Sequence, residues 1–286
     1  LPNVGKATLL NALTKKSVPM ENYPFCTIDP TVGVVAVPDG RLATLTEISG
    51  SKETLPAIIE FVDIAGLVKG ASAGEGLGNK FLANIRETAM VVEVVRIFED
   101  SDIHHVSGGV DPLGDIEVIN LELIMADGET VSKRLQSLER DLKRGDKDAA
   151  VEKAALDKLL PHLEAGQLAN SLEFTDEELK LVKGLHLLTM KQFLYVCNKK
   201  QDAFNLDEHN DDRWVELLEF FEKTGSEYVI VDAGMEHELK DLADEEKNEF
   251  RREYGAQDSG VESLIRAAYR RLGLMSYFTT GEEETR

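Results

Sequence analysis

The opening octet, Leu1-Pro2-Asn3-Val4-Gly5-Lys6-Ala7-Thr8, constrains the fold more than any other stretch of the chain. Measured against the phosphate-loop pattern G-x-x-x-x-G-K-[ST], Leu1 to Lys6 supply everything but the first glycine, whose place falls just before Leu1. Such a loop works only where a buried strand delivers the chain to a tight turn and a helix leaves it, because its anion-binding donors are the unpaired N–H groups of that helix's first turn. A helix from Lys6 to about Lys16 is therefore predicted, with the strand it needs upstream of Leu1. Backbone N–H groups around Val4 to Thr8 would face a phosphate chain. Gly5 would let the main chain approach it, and Lys6 would reach its outer oxygens. The next motif position normally carries a hydroxyl that holds Mg²⁺. Ala7 has none.

The rest of the chain agrees with an α/β reading. Apolar, strand-like runs at Val32–Val37, Ala57–Val62, Met90–Phe98, Gln192–Cys197 and Glu227–Val231 alternate with helical patterns, which predicts a mostly parallel sheet covered by helices. Residues 115–186 break the alternation with helix formers and almost no strand signal, so they read as an inserted helical domain. Val131, Leu135, Leu138 and Leu142 make one apolar stripe. Leu156, Leu159, Leu160 and Leu163 make a second after the Arg144-Gly145-Asp146 break, so two antiparallel helices are expected. They form either a projecting coiled-coil arm for a partner or a hairpin packed on the main domain. Thr175 is a candidate N-cap for a short helix over 176–183. The expected division is a nucleotide domain over 1–114 and 187–275, the insertion over 115–186, and a further domain beginning at 276–286.

Charge narrows the function. The formal net charge of −21 repels phosphate backbones, so broad or sequence-specific nucleic-acid binding is disfavoured. No run approaches the ~18 apolar residues of a membrane helix. Cys26 and Cys197 lack any paired spacing, so neither a disulfide framework nor a zinc site is indicated and a reducing cytoplasm is the expected setting.

A second motif supports the first. Asp63-Ile64-Ala65-Gly66 closes the apolar run Ile58 to Val62, as D-x-x-G does in nucleotide switches. Asp63 would anchor the Mg²⁺ shell and the Gly66 amide would face the γ-phosphate. Together with N-Y-P-F-C-T-I-D-P (22–30), F-V-D-I-A-G-L-V-K-G-A (61–71), G-E-G-L-G-N-K-F-L-A-N-I-R-E-T (74–88) and D-I-E-V-I-N-L-E-L (115–123), the chain resembles the YchF family, the Obg-like ATPases, over nearly its whole length. That resemblance implies a Ras-like P-loop NTPase domain with an inserted coiled coil. It implies Mg²⁺ held also by Thr27 of the first switch loop, and a ribosomal partner. It also implies that the Y-F-T-T-G near Tyr277 enters a TGS domain.

Base choice rests on Asn198-Lys199-Lys200-Gln201-Asp202. The guanine signature N-K-x-D needs a carboxylate where Gln201 stands, and an amide cannot offer its two acceptors. The resemblance implies ATP, with Asn198, Lys199 and Gln201 about the base. The family typically carries Glu at the place of Gln201, and GTP read by Asp202 after a local slip is the rival. Ala233 is expected beside the base. Asp232 before it, where the family presents Ser, reads as a solvated loop residue or as a charge near the purine, with the solvated loop expected. Leu67 occupies the place of the water-positioning glutamine of Ras-like enzymes. The resemblance instead implies a histidine from the loop after the next strand, and the pattern around Ile103-His104-His105-Val106 selects His105. Asn3 is read as an aid to a monovalent cation such as K⁺. The expectation is a slow, Mg²⁺-dependent ATPase switch. The alternatives are a GTPase, or a nucleotide-holding scaffold with little turnover because of Ala7.

Overall fold

The computed structural model describes residues 1–14, 32–64, 77–101, 109–240, 242, 246–247, 249–250 and 259–286. The chain divides into two compact units, one of 65–91 and 113–193 with Leu1, the other of 2–64, 92–112 and 194–286.

In the first unit, α4 (Pro112–Lys143) and α5 (Lys147–Glu164) follow one another through a short turn. Proline opens α4 where its missing N–H costs nothing. Gly145, at φ 78°, takes the left-handed turn between the helices, and Asp146 caps α5 by accepting the Ala149 N–H at 3.2 Å. Both predicted stripes meet in one core. Val131, Leu138, Leu156, Leu159 and Leu163 are buried, with Leu135, Leu142 and Leu160 packed along its edge. A bidentate Arg134–Glu152 pair, 2.7 Å at each oxygen, ties the same two helices. Then α6 (Asp176–Lys183) begins in a full capping box between Thr175 and Glu178 and adds Val182 to the core. The carboxylate of Asp127, fully buried on α4, accepts the N–H groups of Leu188 and Thr189 and the Thr189 hydroxyl at 2.9, 2.7 and 2.6 Å. That fixes the chain as it leaves the helical segment.

The second unit holds the strands. α1 (Lys6–Thr14) follows the opening loop. β1 (Val32–Ala36) pairs antiparallel with β3 (Ile58–Val62), with Val35 opposite Ile59. α2 (Gly40–Ser49) and β2 (Glu53–Thr54) lie between them in sequence. After α3 (Leu77–Glu87) of the first unit, the predicted single strand 90–98 is two: β4 (Met90–Arg96) and the short β5 (Phe98–Glu99), which turns aside at buried Ile97 to pair with β7 (Phe204–Asn205). A three-stranded sheet runs β4, β6 (Gln192–Lys199), β8 (Glu227–Asp232), with β6 and β8 parallel. Phe193 to Asn198 are continuously buried, as a strand covered on both faces must be. Burial pushes the Cys197 thiol far above its ordinary value, whereas Cys26 lies outside the described residues. α7 (Asp212–Thr224) packs Trp214, Leu217 and Phe221 inward, and Phe221 stacks on Tyr228 at 4.8 Å. α8 (Ala233–Leu239) and α9 (Gly260–Arg271) follow β8. The polar tail ends in β9 (Glu284–Thr285), parallel to β2. Among the described residues, no helix is long and apolar enough to cross a membrane.

The sheet is more mixed than the sequence predicts, since β1 and β3 run antiparallel. The apolar runs set which segments are strands, and strand direction is decided by connections that a pattern of residues does not encode.

Candidate nucleotide-binding site

Parallel strands leave their carboxyl ends as the place where loops can gather around a ligand. Here β6 ends in Asn198-Lys199 and β8 in Asp232, and Asn198 and Ala233, which follows Asp232, lie beside the loop that opens α1.

That loop is a strained turn. Asn3 and Gly5 take left-handed backbone conformations, φ 59° and 96°. A β-carbon on Gly5 would lie 2.3 Å from the Asn198 amide nitrogen, so only glycine fits. Gly5 O then accepts the Leu9 N–H at 2.9 Å, the first intrahelical bond of α1. Val4 is buried at 1 % exposure, while Asn3 and Ala7 are exposed. Lys6 is half-buried beside Asp63. Burial lowers its ammonium pKa, and the Asp63 carboxylate opposes that shift. The motif lysine and the D-x-x-G aspartate thus share one electrostatic neighbourhood, as the sequence pattern requires.

Asn198 joins the two loops. Its Nδ2 donates to Val4 O at 2.9 Å and its Oδ1 accepts the Ala233 N–H at 3.0 Å, in a site only 4 % exposed. The Ala233 N–H is thereby spent inside the protein and is not an open donor to a base. Lys199 Nζ donates to Glu208 at 2.9 Å. Burial works to lower its pKa, yet that hydrogen bond and the charges of Glu208, Asp207 and Asp232 raise it overall.

Beyond Lys199 the chain turns sharply. Buried Asn205 accepts the Lys200 N–H at 3.0 Å and donates back to Lys200 O at 2.9 Å, and Lys200 pairs with Asp100. Asp202 is exposed and left-handed at φ 59°. Gln201 is half-buried, and its N–H donates to Asp232 Oδ2 at 2.7 Å.

Asp232 corrects the expected solvated loop residue. It is 6 % exposed, and its Oδ1 caps α8 by accepting the Met235 N–H at 2.9 Å. Burial raises its carboxyl pKa against the pull of those N–H donors. An aspartate between an apolar strand and A-G-M-E carries an N-cap signal. The bond to Gln201, thirty-one positions away, carries none.

Asn3, Val4, Gly5, Lys6, Ala7, Thr8 and Asp63 gather at the loop and the end of β3. Asn198, Lys199, Gln201 and Ala233 lie at the ends of β6 and β8. Thr27, Gly66 and His105, with Leu67 and His104, lie outside the described residues. Among the described residues no group of three or more His, Cys, Asp or Glu side chains is placed to hold a metal ion. Mg²⁺ in nucleotide sites is held largely by phosphate oxygens and water with one or two carboxylates. Asp63 fits that donor set, and Ala7 adds nothing to it.

Comparison with known proteins places this arrangement. Residues 1–117 match the family described as 50S ribosome-binding GTPase. The chain is 51% identical over 286 residues to the "Ribosome-binding ATPase YchF" of Bacillus subtilis (strain 168), and 48% identical to the protein of the same name from Escherichia coli O157:H7. All of the chain and 78% of each relative are covered. Among solved structures, that of the Schizosaccharomyces pombe YchF GTPase superposes with a TM-score of 0.85 at 34% identity. That match covers 100% of this chain and 77% of the other.

Proposed function

The chain belongs to the YchF family, and from that premise we propose that it is a cytoplasmic nucleotide switch. In this reading it binds ATP with Mg²⁺, hydrolyses it slowly, and acts at the ribosome in translation or stress regulation. The observation that carries this reading is Asn198, whose one buried amide bonds both the phosphate loop at Val4 and the start of α8 at Ala233. A single rigid joint thereby sets the distance between the groups that would hold the phosphates and those that would hold the base. Pre-organised donors of this kind cost little to arrange when the ligand arrives.

In this scheme the loop amides of Val4 to Thr8 hold the phosphate chain and Lys6 balances its charge. Its lowered pKa reflects a partly dry pocket, where a cation acts more strongly on phosphate than in water. Mg²⁺, held by Asp63 with Thr27, would supply neutralisation of the charge between the outer phosphates. Gly66 would sense the γ-phosphate, and His105 would orient the attacking water in place of the glutamine that Leu67 replaces. Asn3, exposed at the left-handed corner, would favour a K⁺ ion beside the phosphates. Lys199 and Gln201 border the purine. ATP is favoured over GTP because Gln201 offers no carboxylate and the Ala233 N–H is already engaged.

A second reading is favoured by Ala7, whose exposed methyl stands where the metal-binding hydroxyl is expected: a scaffold that holds nucleotide with little turnover. Titration with ATP and GTP, each with and without Mg²⁺, separates them. Tight Mg²⁺-dependent ATP binding with phosphate release supports the switch. Metal-independent binding without release supports the scaffold, and equal or tighter GTP binding overturns the base assignment.

A further inference from the structure

We propose that Asp232 is a positioning residue for base recognition: its carboxylate fixes the backbone of the Gln201 loop where that loop meets the purine, and so governs affinity for the base but not for the phosphates. The inference rests on the nucleotide reading above and deepens it.

Three observations carry it. First, the two oxygens of Asp232 serve two different elements. Oδ1 accepts the Met235 N–H at 2.9 Å and caps α8, while Oδ2 accepts the Gln201 N–H at 2.7 Å and reaches across to the loop after β6. Second, Asp232 itself is only 6 % exposed, and the Gln201 it holds is half-buried. Hydrogen bonds to a carboxylate are short and strong, and a donor stripped of one in a partly buried place loses much of its compensation. Third, the other bonds that hold the loop do not run to β8: the Ala203 N–H donates to Lys200 O at 3.3 Å, Asn205 binds Lys200 and Ala203, and Lys200 pairs with Asp100. Asn205 holds Lys200 on one side of Gln201, and Asp202 on the other side is an exposed left-handed turn residue. The Gln201–Asp232 bond is what joins this turn to the end of β8.

The phosphate loop is secured by a different side chain. Val4 is held by Asn198, which does not touch Asp232's bond to Gln201. Losing the Asp232 clamp should therefore loosen the base-reading turn and leave the phosphate cradle intact.

Asp232→Ser makes the test clean. A serine hydroxyl caps a helix well but is too short to hold the Gln201 N–H as well, so the helix keeps its cap while the loop loses its acceptor. Calorimetric titration of the whole chain with ATP and with inorganic tripolyphosphate reads the two halves of the site apart. The expected result is ATP binding weakened about tenfold, as loss of one charged hydrogen bond implies, with tripolyphosphate binding unchanged within about twofold. Asp232→Asn keeps the shape with one acceptor oxygen in place of two. It should fall between wild type and the serine variant, and it serves as the second variant if the serine protein folds poorly. Equal weakening of ATP and tripolyphosphate would mean a general structural role and overturn the proposal, as would unchanged ATP binding. A wild-type protein that binds neither ligand would instead bring down the nucleotide reading, and this inference with it.

Discussion

The helical pair α4–α5 and the loops at the ends of β6 and β8 are built by opposite means. In the helical pair, fully buried Leu138, Leu156 and Leu159 sit in a wide apolar core, and the buried charge at Asp127 is satisfied by three donors. In the loops the order comes from single polar side chains, Asn198, Asn205 and Asp232, each bonding two or more backbone groups. A core spreads its energy over many small contacts, while a polar clamp places one bond where geometry matters. Substitutions in the first region should cost stability and spare binding. Those in the second should cost binding out of proportion to stability.

The largest expected effect is in the helical core. Leu156→Ala leaves a cavity at a fully buried position and should lower unfolding stability by about 3 kcal/mol, with ATP affinity of the folded protein unchanged. Denaturant unfolding beside calorimetry reads both quantities, and a parallel fall in affinity would break the contrast. Next comes Asn198→Ala, which strands the Val4 carbonyl and the Ala233 N–H in a buried site. It should weaken binding of both ATP and tripolyphosphate by about 2 kcal/mol, roughly thirtyfold. A smaller change is expected from Ala7→Ser, which supplies the missing hydroxyl. ATP affinity should rise about tenfold in Mg²⁺ and stay the same in EDTA. A rise without Mg²⁺ would show that the position acts on phosphate directly.

The smallest effect is electrostatic. Asp211 caps α7, and its hydrogen bonds to Arg213, 2.8 Å to Nε and 2.9 Å to Nη2, hold its carboxyl down from 3.8 to about 2. Because the folded value is depressed, the stability it contributes is fully present above the unfolded value and disappears as pH falls through about 2. Asp211→Asn should flatten that part of the acid-unfolding curve by a small amount, since the pair is only partly buried and solvent screens it. ATP binding at neutral pH should not change.

Much of this was legible in the residues. The leucine stripes of α4 and α5 declare their shared face because helical periodicity is local, and the Thr175–Glu178 capping box sits within four residues. Gly5 and Lys6 stand out for the same reason: phosphate loops are contiguous. Asp232 departs from the solvated place expected of it because its second oxygen bonds a partner thirty-one positions earlier, and nothing in a strand-end aspartate announces that bond. The split of the 90–98 run at Ile97 was hidden likewise. There Ile97 bonds across to Asn198 and Leu206 while Phe98–Glu99 pairs with Phe204–Asn205, and these are long-range contacts that a local pattern does not carry.

The account depends most on Gly5, whose missing side chain lets Asn198 close on the phosphate loop. Calorimetric titration of the intact chain with ATP, wild type beside Gly5→Ala, tests it most directly. The account predicts one saturable site well below millimolar ATP in the wild type and none in the variant. An unsaturated wild type at millimolar ATP, or a variant that binds as tightly, would contradict it.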